Sequence, residues 1–408
     1  MKDKILIVGA GTFQLPLVER ASLDHEVLVA APVIDDRFSP YISGKLICDV
    51  RDKEKVLEYA ESSDIKGVIT DQTDIAVRTV AYVAEKMGLP GIGYETGCLF
   101  TDKSLMRSRM SELGIKLLPN KTVTSLDEAL EFYDTIHGSV IIKPLDTQGS
   151  RGVSRCDSAG ELKAKYGEAS RWSSNGKVIV EKYATGREFV VEGMAADYEF
   201  RNLNIGDTEY FDLPDAFAAK TRIFPSTCSP ALKQRVYDLN REIVTGFGLK
   251  QGITHSEFIM DGDDIYLIET AARGGGVFIS SDLIHICTGL DTEAFLIGLA
   301  TGEITSLPDA QEDLEACGYM AFYVPEGTVT EIKGLDEVRQ LPFVHRNQLD
   351  ELYVGKKTDT GHSDKTSRIA LTVSGKTRDE VMQRMDQIRS TLEVACSGPD
   401  GVKGLIWE

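Results

Sequence analysis

Residues 253–280 read ITHSEFIMDGDDIYLIETAARGGGVFIS. Two runs rich in Ile, Phe, Tyr and Leu flank Asp261-Gly262-Asp263-Asp264. A turn sequence between apolar runs predicts a β-hairpin. With the turn centred near Asp263, Glu257 and Glu269 fall opposite each other on one face. Directly opposed carboxylates repel. Both strands are otherwise apolar, so that face is expected to be buried, where unpaired charge is costly. A divalent cation relieves both problems, and Mg2+ is commonly held by one or two carboxylates together with phosphates. The second strand runs into Arg273 and the glycines 274–276. A guanidinium beside donor-rich backbone suits phosphate or carboxylate oxygens. Either glutamate alone also fits the solvated acidic face of an ordinary hairpin. Arg273 and the glycine run are what point to metal and phosphate.

The chain has 408 residues, room for two or three domains, and 42% of them are hydrophobic. A formal net charge of -19 and the lack of any basic block argue against nucleic acid or an anionic membrane as partner. The opening MKDKILIVGAG enters a strand pattern directly and lacks the apolar core of a signal peptide. No apolar run approaches membrane-spanning length. The seven cysteines (Cys48, Cys98, Cys156, Cys228, Cys287, Cys317, Cys396) are scattered singly. Reduced core thiols and a cytoplasmic location are expected from that pattern.

Taken in order, Lys4 to Val8 reads as a strand, Leu15 to Ser22 as a helix and Glu26 to Ala30 as a second strand. The turn Gly9-Ala10-Gly11 carries Gln14 where a dinucleotide fingerprint needs its third glycine, and no acid follows the second strand. NAD binding is therefore not expected. Helices over Asp52–Glu61 and Ile75–Met87 flank a strand at Gly67–Thr70, with Thr73 or Asp74 as cap of the second helix. Asp71 and Gln72 sit at a strand's carboxyl end, where ligands are met. A helix from Asp102 to Leu113 starts with Lys103, a placement against the dipole that suits a bound anion or plain solvent.

Ser139 to Pro144 is a buried-type strand containing Lys143, followed by a loop with Gly149, Ser150, Gly152 and Val153. A lysine ending an apolar strand needs a partner, and such a loop can wrap phosphates. No Walker sequence occurs. Glu181-Lys182-Tyr183-Ala184 and Glu188 form a link between two strands, compatible with holding a sugar's hydroxyls. Thr221 to Ser229 reads as a loop, Pro230 to Gly246 and Thr292 to Thr301 as helices. Beyond these come a β-rich region from Cys317, a polar loop over Lys356–Lys365, a strand at Ser367–Val373 and a helix at Arg378–Leu392 with residues 381, 382, 385 and 388 facing inward.

Several segments now match one family in order: VGAGTFQLP, TDQTDIAV, TDKSLMR, VIIKPLDTQGSRGVS, VEKYATGREFVVEG and HSEFIMDGDDIYLIETAARGGG. The chain resembles the ATP-grasp superfamily, in particular its carboxylate–amine ligases of the L-amino-acid ligase and carbamoyl-phosphate-synthase-like branch. The resemblance implies an α/β and α+β chain with three parts. These are a Rossmann-like domain over 1–98, an ATP-grasp domain over 99–310 with a lid near 115–190, and a C-terminal α+β extension over 311–408. It implies ATP and Mg2+ (Mn2+ as an alternative), small carboxylate and amine substrates, and a homodimer by family habit. Lys103 and Lys143 would contact ATP phosphates under a loop holding Gly149, Ser150, Gly152 and Val153. Glu181, Lys182, Tyr183 and Ala184 would line the adenine, and Glu188 would hold the ribose. Glu257 and Glu269 would ligate the metal, and Arg273 would steady the transferring phosphoryl group. Ala271 stands where many members have Asn, which puts a second metal ion in doubt.

The implied chemistry activates a carboxylate as an acyl phosphate, which an amine then attacks. His255 lies on the same strand face as Glu257 and is a candidate general base. Asp215, Lys220 and Arg222 fall where relatives vary with substrate. Arg222, with Gly275 and Gly276, is a candidate for touching a substrate carboxylate, a surface-loop role for Arg222 being the plainer alternative. Two other readings stay open: activation of bicarbonate, and an ATP-binding regulatory module without turnover.

Overall fold

The computed structural model describes residues 2–147, 149, 151–213, 217–358 and 367–408. Ser150 and Asp215 lie outside the described residues, as does most of the polar stretch 356–365. Among the described residues the strands form four sheets.

The first sheet is parallel, in the order Gly44–Ile47, Glu26–Ala31, Lys4–Val8, Gly67–Ile69. Its strands are apolar at nearly every position because both faces are covered. Leu6, Val8 and Leu28 join one core, while Ile5, Ile7, Val27 and Val29 join another on the opposite face. The strand Gly44–Ile47 escaped the sequence reading. It is a sheet edge whose alternate residues are exposed, so its apolar signal is diluted. The helix Val77–Met87 has no side-chain cap, contrary to the role expected of Thr73 or Asp74. The Asp74 carboxylate is turned instead onto Arg273.

The second sheet orders Asn120–Val123, Val178–Lys182, Val140–Pro144 and Ser154–Cys156, backed by the helices Leu126–Thr135 and Ala159–Trp172. Ser125 and Ser158 cap those helices by accepting N–H groups of the first turn.

The third sheet has eight strands. They run Asp264–Ala271, Gly252–Asp261, Arg187–Ala196, Glu199–Tyr210, Ala219–Phe224, Ala316–Tyr323, Arg368–Gly375, Val344–Asn347. The expected hairpin is its first pair, and Glu257 faces Glu269 across it. Ala219–Phe224 corrects the loop expected from Thr221: it is an interior strand paired on both sides. Its Lys220 projects together with Arg222, for which a surface loop was the plainer alternative, as i and i+2. Both end on carboxylates, Glu408 and Glu257.

A small fourth sheet joins Lys357–Thr358, Gly327–Lys333, Glu393–Gly398 and Gly401–Lys403. The helix Arg378–Thr391 covers the C-terminal core with Val381, Met385 and Ile388. Met382, expected on that inner face, is 49% exposed. No single helix among the described residues is long and apolar enough to cross a membrane.

Candidate functional site

Two cavities meet at the hairpin. One, of about 520 Å³, lies between the second and third sheets. Lys103, Lys143, Glu181, Lys182, Tyr183, Ala184 and Glu188 line it, with Gly149 and Val153 of the loop. The other, of about 430 Å³, reaches toward the first sheet and the C-terminal strands. Glu257 and Glu269 belong to both walls.

The two carboxylates are not bare. Glu257 is ion-paired with Arg222, and Lys103 Nζ stands 2.8 Å from Glu269 Oε1. The opposed charges that seemed to demand a metal are therefore balanced by protein cations. Burial favours the neutral form of Glu257, but Arg222 overrides it and holds the carboxyl well below the usual range. Arg222 sits in the cavity wall, bonded to Glu257 and at 2.8 Å to His255 Nε2, not on a surface loop. Among the described residues no group of three or more His, Cys, Asp or Glu has a metal-binding arrangement. The donor set for a divalent cation is two carboxylates, with Ala271 adding no ligand. That set fits Mg2+ whose remaining ligands are phosphate oxygens and water.

Lys143 answers the need for a partner through Glu181. Glu181 Oε2 accepts from Lys143 at 2.9 Å, and Oε1 accepts from Arg107 Nε at 2.7 Å. Burial pushes the Glu181 carboxyl up, but the two cations outweigh it and bring it down to about 2. Its charge is thus spent on fixing Lys143 and Arg107 at the cavity floor, which leaves less for an adenine ring than expected. Arg107 itself gave no sign in sequence beyond lying one helical turn after Lys103. Glu188 accepts from Tyr210 Oη at 2.6 Å, and burial lifts its carboxyl to about 7. Gly152 does not line the cavity. It has φ of 70°, and a Cβ there would come within 2.8 Å of Trp172, so it serves the turn.

The glycine run is anchored by acids. Gly274 N–H donates to Asp71 Oδ1 at 2.8 Å, and Gly275 N–H donates to Glu192 Oε2 at 3.0 Å. Phe278 N–H donates to Gln72 Oε1 at 3.0 Å. Of the two residues expected to meet a ligand, Asp71 buttresses Gly274, and Gln72 buttresses Phe278 while also lining the second cavity. Gly275 is packed against Glu192 and His255 and is absent from the cavity wall, whereas Gly276 lines it. Arg273 gives Nε and Nη2 to Asp74 at 2.8 and 2.9 Å and also lines the second cavity.

Glu192, fully buried, was missed in sequence. It accepts from His255 Nδ1, and His255 Nε2 lies 3.3 Å from Glu257. Burial opposes charge on this imidazole, but Glu192 prevails and raises its pKa. Arg222, which can only donate, stands 2.8 Å from Nε2, while Nδ1 faces the Glu192 carboxylate. The candidate general base thus lines the second cavity, held by Glu192 on one side and by Arg222 and Glu257 on the other. The signal for Glu192 was available: an acid in the apolar run Phe189–Met194 must find a partner.

Residues 136–282 match a family model described as "ATP-grasp domain". Alanine–anticapsin ligase of Bacillus subtilis (strain 168) is 24% identical over 287 residues, 64% of this chain and 60% of that protein. The chain thus spans about three fifths of the curated relatives it matches. Among solved structures, an L-amino acid ligase from Bacillus licheniformis superposes with TM-score 0.80 at 20% identity, over 96% of this chain and 98% of that one. The biotin carboxylase domain of the 2-oxoglutarate carboxylase of Hydrogenobacter thermophilus, a structure with MgADP and bicarbonate, gives TM-score 0.76 at 17% identity. That likeness covers 99% of this chain and 92% of the other.

Proposed function

This chain carries an ATP-grasp domain, and from that premise we propose that it is an ATP-dependent ligase joining a carboxylate to an amine. The observation carrying the reading is that Glu257 and Glu269 form a common wall between two cavities. One cavity offers Lys103, Lys143 and a glycine loop, groups suited to a triphosphate. The other offers Arg222 and Arg273, groups suited to a carboxylate. A reaction between γ-phosphate and carboxylate belongs at such a wall.

In this reading a substrate carboxylate oxygen attacks the γ-phosphorus, the bond to the β-bridging oxygen breaks, and ADP leaves. The amine then adds to the acyl phosphate, inorganic phosphate departs, and the amine's proton passes to solvent. Lys103 and Lys143 hold phosphate oxygens, and Arg273 steadies the transferring group. Lys182, Tyr183 and Ala184 bound the base, with Glu188 and Tyr210 near the sugar. Glu257 and Glu269 would hold Mg2+, which neutralises phosphate charge when bound. Positioning and charge balance supply most of the acceleration in such transfers. Arg222 and Lys103 are then exchangeable counter-charges: each gives up its carboxylate when nucleotide and metal enter.

The test is phosphate release from ATP and Mg2+ with amino acids singly and in pairs. Stimulation by particular pairs is expected, and Glu269→Gln should lower turnover by about 100-fold or more, the scale of losing one transition-state charge contact. Stimulation by bicarbonate alone would overturn the amide-forming reading in favour of bicarbonate activation, and binding without turnover would favour a regulatory module.

A further inference from the structure

The second cavity is lined by three guanidinium groups, those of Arg222, Arg273 and Arg368. Two have carboxylate partners within the protein: Glu257 for Arg222 and Asp74 for Arg273. Arg368 has none among the described residues. Its Nη2 donates to the carbonyl of Ala219 at 2.7 Å, and its guanidinium carbon lies 5.6 Å from the centre of the Tyr319 ring. Its Nε is sealed from solvent without an acceptor. A carbonyl dipole and a ring face stabilise a cation but do not neutralise it. A partly buried cation in a cavity, lacking a counter-ion among the described residues, is costly for a folded protein to keep.

Arg368 also stands apart from the reacting wall. It lies on the strand Arg368–Gly375, five places along the sheet from the strand that carries Glu257. Arg222 is tied to Glu257 of the hairpin, and Arg273, which follows the hairpin, is tied to Asp74 beyond the first sheet's strand Gly67–Ile69. Arg368 is tied to neither acid. Tyr319, Tyr323 and Gln348 line the same end of the cavity, giving apolar walls with hydrogen-bonding tips.

We propose that Arg368 binds a spectator carboxylate, one that is neither activated nor attacked, so that at least one substrate carries a carboxylate besides the reacting group. An α-amino acid acting as the amine satisfies this, and so does a di-acid acting as the acyl donor. The inference rests on the ligase reading for the identity of the reacting wall. It is tested by binding, which needs no turnover.

The protein loaded with a non-hydrolysable ATP analogue and Mg2+ is titrated calorimetrically in two arms. One compares amino acids with their carboxamides; the other compares succinate and glutarate with propionate and butyrate. The acid should bind tighter than its uncharged analogue by roughly ten- to a hundredfold in one arm, the scale of one charge-assisted contact. The arm showing the preference identifies which substrate bears the spectator group. In Arg368→Gln the preference should vanish while nucleotide affinity is kept, and Arg368→Lys should restore part of it. Equal affinity for acid and neutral analogue in both arms, no binding in either, or a preference that survives Arg368→Gln overturns the proposal. The wild-type comparison decides alone should the variants fail to fold. Carboxylate binding through Arg368 without phosphate release would retire the ligase reading and leave Arg368 as a carboxylate site without a reacting partner.

Discussion

Glu181→Gln isolates what a single buried charge does for the cavity lined by Lys103 and Lys143. The carboxylate is 1% exposed and serves two cations, Arg107 and Lys143, both mostly buried. The amide keeps the shape and removes the charge, leaving two sequestered cations without a counter-ion. Breaking a buried pair by removing one partner costs about 3–5 kcal/mol. A second route gives a similar figure: the fall of the Glu181 pKa from 4.5 to about 2 corresponds to roughly 3 kcal/mol of stabilisation. Because the folded-state value is depressed, that stabilisation is complete above pH 4.5 and is lost as pH falls toward 2. Urea unfolding at pH 7 should therefore show Glu181→Gln less stable by about 3 kcal/mol. The gap should shrink as the medium is acidified below pH 4.5. Adding Lys143→Met to the variant should recover part of the loss, since it removes one stranded cation. A deficit under about 1 kcal/mol at pH 7, or one constant down to the lowest pH at which both proteins fold, would refute the reasoning.

Glu188 has the opposite sign. Burial raises its carboxyl to about 7, so its ionisation works against folding as pH climbs from 4.5 through 7. Glu188→Gln should stabilise the protein by roughly 2–3 kcal/mol above pH 7 and by nothing below pH 4.5, read from denaturation midpoints across pH. In the glycine run, a Cβ at Gly275 would sit 2.7 Å from Glu192 Oε1 and 2.8 Å from His255 Nδ1, whereas one at Gly276 finds its nearest neighbour at 3.9 Å. Gly275→Ala should cost about 1–3 kcal/mol in stability and most of the turnover. Gly276→Ala should stay within about 0.5 kcal/mol of the parent, measured in the same denaturation assay.

The sequence reading and the structure part company at charged residues. The hairpin was legible because two apolar runs and an Asp-Gly turn fix both pairing and register, and Glu257 does face Glu269. The helices Leu15–Ser22 and Pro230–Gly246 were legible as helical patterns, the second also from Pro230 at its first turn. What escaped was who neutralises whom. The partners of Glu257, Glu269 and Glu181 lie 35, 166 and 74 or 38 residues away in the chain, and no local pattern encodes such distances. The same gap explains Ala219–Phe224. Its Arg222 read as a surface-loop residue until the sheet supplies Glu257 as its partner. Asp74 read as a helix cap for want of any hint that Arg273 would reach it.

The strand Ala316–Tyr323 bonds directly to Ala219–Phe224, so the C-terminal strands Ala316–Tyr323, Arg368–Gly375 and Val344–Asn347 share one continuous backbone ladder with the Glu257–Glu269 hairpin. A protein trimmed near residue 310 would bare the hydrogen-bonding groups of Ala219–Phe224, a raw edge prone to self-association. The tail is therefore not an accessory that can be grafted on or taken off. New tastes in substrate would have to arise by point changes in residues already woven into the sheet.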